Sequence, residues 1–111
     1  MKDDRLYLQH IQQAIECIDT YRTTREDFMQ NRMMQDAIIR QLEIIGEAAI
    51  IISLETKARH SALPWREMAG MRDKLIYGYF GVDLAAVWDT VESDLPPLHR
   101  QIPEILKRMQ E

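Results

Sequence analysis

The chain has a single cysteine, four glycines and four prolines in 111 residues, and each shortage removes a class of structure. Cys17 alone makes no internal disulfide, and no second thiol or histidine stands at metal-ligand spacing from it. His10, His60 and His99 lie far apart and form no ligand pair, so no metal and no cofactor is expected. The scarcity of glycine and proline leaves too few turn signals for a many-stranded sheet and favours a few long helices. Long apolar runs are missing as well. The longest, Ala48 to Ile52, is too short to span a bilayer, and Met1 to Arg5 leads into no signal-peptide core, so a cytoplasmic protein with no membrane attachment is expected. Positive charge is not in excess either: the formal net charge is −4, which confines any RNA contact to a local patch. The one basic-leaning stretch runs from Lys57 to Lys74.

What the sequence does have is helical periodicity. Tyr7, Ile11, Ala14, Ile18 and Tyr21 recur at spacings of three and four behind Asp3 and Asp4, whose carboxylates suit a helix N-terminus. Thr23 and Thr24 break the pattern, and the polar stretch to Asn31, with Phe28 as its one large apolar residue, reads as a connection. From about Arg32 to Leu54, Met34, Ile38, Leu42, Ile45, Ala49 and Ile52 form a stripe that Ala37, Ile44, Ala48 and Ile51 widen, which predicts the most buried helix. Pro64 and Trp65 open a third helix, with Ser61 near enough to cap it and Gly78 and Gly81 to end it. Asp83 caps a fourth, which Pro96 and Pro97 kink or restart before Leu98, Ile102, Ile105, Leu106 and Met109 resume the spacing. The expected fold is all-α: one domain over residues 1–111, an antiparallel four-helix bundle with its last helix kinked at Pro96-Pro97. The seven methionines are expected mainly as core filler.

Two features interrupt this apolar pattern with charge. On the second helix Asp36, Arg40, Glu43 and Glu47 share one narrow face, either as a solvent-facing ridge with Asp36 paired to Arg40 or as a polar seam lining a cleft. On the third, Arg72 sits in the apolar stripe itself, where it needs a partner or a wet cleft, and Glu43 and Glu47 are the candidate partners. Asp73 and Tyr77 form an i,i+4 pair beside it, and Tyr79 falls on nearly the same helical line, about 10 Å further along. Arg72 as one end of an internal salt bridge is the alternative to Arg72 as a working residue.

The segment from Gly70 to Asp83 resembles the signature of HepT toxins, a branch of the HEPN proteins: Arg, four residues, His, one residue, Tyr, with a polar residue directly after the Arg. Arg72, Asp73 and Tyr79 fit it. The similarity extends through Asp4-Arg5-Leu6, residues 36–48, Pro64-Trp65, residues 68–71, residues 80–83 and Val87-Trp88, in the family's order. The resemblance implies a HEPN bundle acting as a metal-independent endoribonuclease, with the motifs of a homodimer facing each other across a cleft. It makes Arg72 the residue that holds the scissile phosphate, with Asp73 in support. It makes the histidine position the proton-transfer group, and Tyr79 the tyrosine to which an MNT-type nucleotidyltransferase antitoxin transfers AMP, silencing the toxin.

One position departs from the pattern, because Tyr77 stands where the family has histidine. A tyrosine phenol ionises near pH 10 and an imidazole near 6.5, so about one phenol in a thousand is ionised at pH 7. A strongly impaired nuclease is therefore expected. A non-catalytic helical subunit that binds the nucleotidyltransferase is the alternative, favoured by Tyr77 and the acidic balance.

Overall fold

In a computed structural model of the chain, which describes residues 3–21, 24–78 and 81–109, the regular structure is entirely helical. The elements are α1 (Asp4–Thr20), α2 (Arg25–Gln30), α3 (Arg32–Ile51), α4 (Leu54–Arg59), α5 (Trp65–Ile76), α6 (Leu84–Asp89), a π-helical turn (Thr90–Asp94) and α7 (Leu95–Met109). Short polar side chains start most of them by accepting an otherwise orphaned backbone N–H. Asp3 accepts from Leu6 N–H at 3.2 Å, Asn31 from Met34 at 3.0 Å and Asp83 from Ala86 at 3.1 Å. For α5 the expectation fails: Pro64 takes the cap position, no side chain caps the helix, and Ser61 plays no part.

Four long units, α1, α3, α5 and the α6–α7 arm, make the bundle, with α3 at its centre. The stripe residues Ile38, Leu42, Ile45, Ala49 and Ile52 are buried there. They meet Leu8, Ile11, Ile15 and Ile18 of α1 and Leu98, Ile102 and Ile105 of α7 in one apolar cluster. α1 runs antiparallel to α3, because the start of one meets the end of the other: Asp4 accepts from Ser53 N–H at 3.0 Å and from the Ser53 and Thr56 hydroxyls at 2.6 and 2.5 Å. α5 packs principally on α3, and α7 on α1. No helix among the described residues is long and apolar enough to cross a membrane.

Several local expectations change. The stretch read as a plain connection contains α2, capped by Thr24, and drives Phe28 fully into the core against Trp88, ring centroids 5.4 Å apart. A further one-and-a-half-turn helix, α4, follows α3. At Pro96 and Pro97 the helix is restarted through a π-helical turn, closed by Leu95 N–H donating to Thr90 C=O. Both prolines thus follow directly on the π-helical turn, at the start of α7. α7 then runs through Pro103, which the apolar spacing alone does not reveal. Met68 is buried in the core and Met34 and Met71 pack against it half-buried, whereas Met29, Met33 and Met109 are exposed, so the core-filler expectation holds for three of the described methionines.

Candidate active site

α5 carries Arg72 inward because its neighbours on that face, Met68 and Leu75, are buried against α3. What makes room for an arginine in this seam is Gly46 of α3. A Cβ on Gly46 would lie 2.2 Å from Arg72 Cβ and 2.8 Å from the Met68 carbonyl oxygen. The arginine stem therefore occupies the space a side chain would fill. Sequence reasoning gave Gly46 no role, although a glycine in the middle of a long apolar helix is itself a signal, since it costs about 1 kcal/mol relative to alanine.

The guanidinium emerges at the edge of the seam. The Arg72 side chain is 28% exposed, its Nη1 donates to Asp73 Oδ1 at 3.0 Å, and its Nε is buried without a hydrogen-bond partner among the described residues. A guanidinium has five N–H donors in a planar fork, so the pair with Asp73 leaves donors for an incoming anion. Asp73 is 58% exposed, and such a pair is screened and worth at most about 1 kcal/mol, so a phosphate can compete for it.

Glu43 and Glu47 do not pair with Arg72. Glu43 pairs with Arg40 at 3.3 Å, and Asp36 with Arg32 at 3.5 Å in place of the anticipated Arg40. At about 100° per residue, Glu43 and Glu47 lie roughly 60° and 100° round α3 from Gly46, and Asp73 and Tyr77 roughly 100° and 140° round α5 from Arg72. With the two helices antiparallel and Gly46 against Arg72, both sets fall on the same side of the seam. Glu43 has 18% of its side chain exposed, well below Arg40 and Asp36 on the same ridge.

Tyr77 caps the C-terminus of α5, its N–H donating to the Asp73 carbonyl at 3.0 Å, and is 60% exposed. Gly81 follows with φ of +134°, a conformation suited to glycine, and its N–H donates to Gly78 C=O at 3.2 Å. Tyr79 lies outside the described residues. Among the described residues no group of three His, Cys, Asp or Glu is placed to hold a metal ion. Two hollows, of about 770 and 450 Å³, are lined by residues other than Arg72, Asp73 and Tyr77.

The fold is an all-α bundle of HEPN type. The chain belongs to the ribonuclease HepT-like family, whose profile matches residues 11–105. The "Probable ribonuclease HepT" of Thermococcus cleftensis is 48% identical to it over 105 residues, 91% of this chain and 94% of that protein. The "Putative RNase TTE0752" of Caldanaerobacter subterraneus subsp. tengcongensis is 44% identical over 110 residues, 97% and 98% of the two chains. A Methanocaldococcus jannaschii protein named "Gamma-glutamylcyclotransferase and putative RNase MJ0434" is 43% identical over 110 residues, 97% of this chain but 50% of that protein, so the chain spans half of that relative. No solved structure matches the chain.

The seat of Arg72 gives a stability test with a diagnostic sign. Glycine to alanine inside a helix ordinarily stabilises by about 1 kcal/mol. At Gly46 the new methyl meets a Cβ and a backbone carbonyl, so Gly46→Ala is expected to destabilise by about 1–3 kcal/mol in urea unfolding. A gain in stability would show that α3 and α5 are not in this contact.

Proposed function

We propose that the chain is the toxin subunit of a HEPN/MNT toxin–antitoxin pair, an endoribonuclease by family whose activity is impaired by Tyr77. The observation that supports this best is the presentation of Arg72: its stem is sealed against Gly46, its guanidinium reaches the surface, and it is paired to the partly exposed carboxylate of Asp73. In this reading Arg72 holds the scissile phosphate and stabilises the charge that builds on its oxygens, and Asp73 positions Arg72 between turnovers. Position 77 is where a proton must leave the ribose 2′-hydroxyl or reach the departing oxygen. The test is RNA cleavage by this chain beside a Tyr77→His variant, in EDTA, since the Arg–His pair works by acid–base chemistry alone. A folded Tyr77→His protein that cuts no RNA refutes the enzymatic reading for this chain. The remaining reading is then a non-catalytic helical subunit that binds the nucleotidyltransferase, which the high exposure of Tyr77 also suits.

A cleft around RNA requires a second copy facing the Arg72 surface, and we expect a homodimer through this face. Sedimentation at tens of micromolar is expected to give a dimer; a monomer under those conditions contradicts it. Tyr79 is the expected acceptor of AMP, its phenol oxygen attacking the α-phosphorus of ATP with release of pyrophosphate. The added phosphate would compete with RNA for Arg72 by charge-assisted hydrogen bonds. Mass spectrometry after incubation with the partner nucleotidyltransferase and ATP is expected to place AMP on Tyr79, with Tyr79→Phe abolishing it. AMP found on Tyr77, or persisting in that variant, overturns the assignment.

A further inference from the structure

The ribonuclease reading uses the side of α5 that carries Asp73 and Tyr77, and the opposite side is unaccounted for. There α5 packs on α3 while the α6–α7 arm packs on α1 and α2. Between them lies a trough of about 770 Å³. Its floor is apolar, with Ile45, Met68, Leu75, Val87 and Leu98 at the base and Met71 on the α5 wall. Along the arm it is lined from Val82 to Gln101, and eighteen or so helical residues at 1.5 Å each give a length of about 25 Å. From this geometry we propose that the trough is the docking site for an amphipathic helix with basic flanks from a partner protein, separate from the ribonuclease site and independent of it.

Shape favours a helix over a small molecule. The charged groups are split between the walls, Glu67 and Lys74 two turns apart on α5 and Asp83 and Asp94 eleven residues apart on the arm, rather than gathered on one element as in a small-ligand site. Both walls carry small residues, Gly70 on α5 and Ala86 and Ser93 on the arm, which let another backbone come close. Gly70 is the informative one. A Cβ there would meet nothing within 4 Å, so unlike Gly46 it answers to no contact inside the chain, although it sits in the middle of a helix where glycine is unfavourable. Methionines at positions 68 and 71 add flexible apolar side chains that adjust to an incoming surface.

Charge decides the chemistry of the partner. The ionisable groups lining the trough are Glu67, Asp83 and Asp94 against Lys74 alone, three carboxylates to one ammonium. RNA phosphates are repelled by such a rim, whereas a helix with an apolar face and flanking Lys or Arg is complementary to both floor and edge.

The test uses the full chain labelled with ¹³C at methionine methyl groups, titrated with a synthetic fourteen-residue helical peptide of leucine on one face and lysine on the other. The methyl signals of Met68 and Met71 are expected to shift saturably, while those of the exposed Met29, Met33 and Met109 stay put. The same peptide with glutamate for lysine is expected to bind at least tenfold more weakly, as is the lysine peptide to Gly70→Trp, which fills the trough. Ala86→Trp, on the exposed wall of α6, does the same from the other side and serves where Gly70→Trp does not fold. Gly70→Ala is expected to raise the unfolding midpoint, the reverse of Gly46→Ala. Equal binding of both peptides, shifts centred on Met33 or Met29, or unchanged affinity in both folded tryptophan variants overturns the proposal. Shifts of Met68 and Met71 on concentrating the chain alone would assign the trough to a second copy instead and overturn it equally.

Discussion

A Tyr77→His protein is expected to cleave RNA roughly 10²–10⁴ times faster than the chain with Tyr77, the span a positioned proton-transfer group ordinarily contributes. The substitution asks little of the fold. Position 77 is 60% exposed at the C-terminal cap of α5, and the hydrogen bond that holds its backbone, from its N–H to the Asp73 carbonyl, is made whatever side chain it carries. Histidine also suits a helix C-terminus, where its charged form is favoured by the terminal carbonyls. The change is expected to act on the chemistry, and urea unfolding of the two proteins checks that the fold is kept. An equal rate for the two proteins, both folded and both binding RNA, would show that position 77 transfers no proton here. A rate increase abolished by EDTA would contradict the metal-free mechanism.

The largest stability effect is expected at Phe28. Truncation to alanine removes a ring that is fully buried, tilted against Trp88 at 5.4 Å and held in place by the Gln35 amide donating to the Phe28 carbonyl at 2.8 Å. Phe28 joins α2 to both α3 and α6, so the cavity opens at a junction that cannot collapse from one side. A loss of about 3–5 kcal/mol is expected, from a total that for such domains is about 5–15 kcal/mol. Urea unfolding monitored by tryptophan fluorescence reads it directly, since Trp88 is the ring it packs on. A loss under about 1 kcal/mol would place Phe28 outside the core.

Phe28 also marks where the sequence stopped being readable. The long stripes of α1 and α3 were legible because each repeats several times and each buried residue reinforces the next. A six-residue helix offers no such repetition, so Phe28 in a mostly polar stretch looked like a loop residue, and α4, with no buried side chain at all, gave no pattern to detect. The π-helical turn was hidden for another reason: Pro96 and Pro97 announce a break, but not whether backbone register or axis direction absorbs it. The site divides in the same way. Arg72 was visible as a charge inside an apolar stripe, and Asp73 and Tyr77 through the resemblance of their segment to the HepT signature. The partner of Arg72 was not, because Glu43 and Glu47 share its side of the seam yet Glu43 is taken by Arg40 and the nearest carboxylate is the next residue in the chain. Gly46 was missed because its function is to lack a side chain, which shows only when the helix opposite is in view.

The central claim is that Arg72 and position 77 form one ribonuclease site, and single-turnover RNA cleavage by four proteins tests it most directly: the chain itself, Tyr77→His, Arg72→Ala and the double variant. Two groups acting on one transition state are expected to be strongly non-additive. Histidine at 77 should raise the rate roughly 10²-fold or more when Arg72 is present and hardly at all when it is alanine. A double variant that keeps the full histidine gain would show that Arg72 takes no part in cleavage, and would contradict the account at its base.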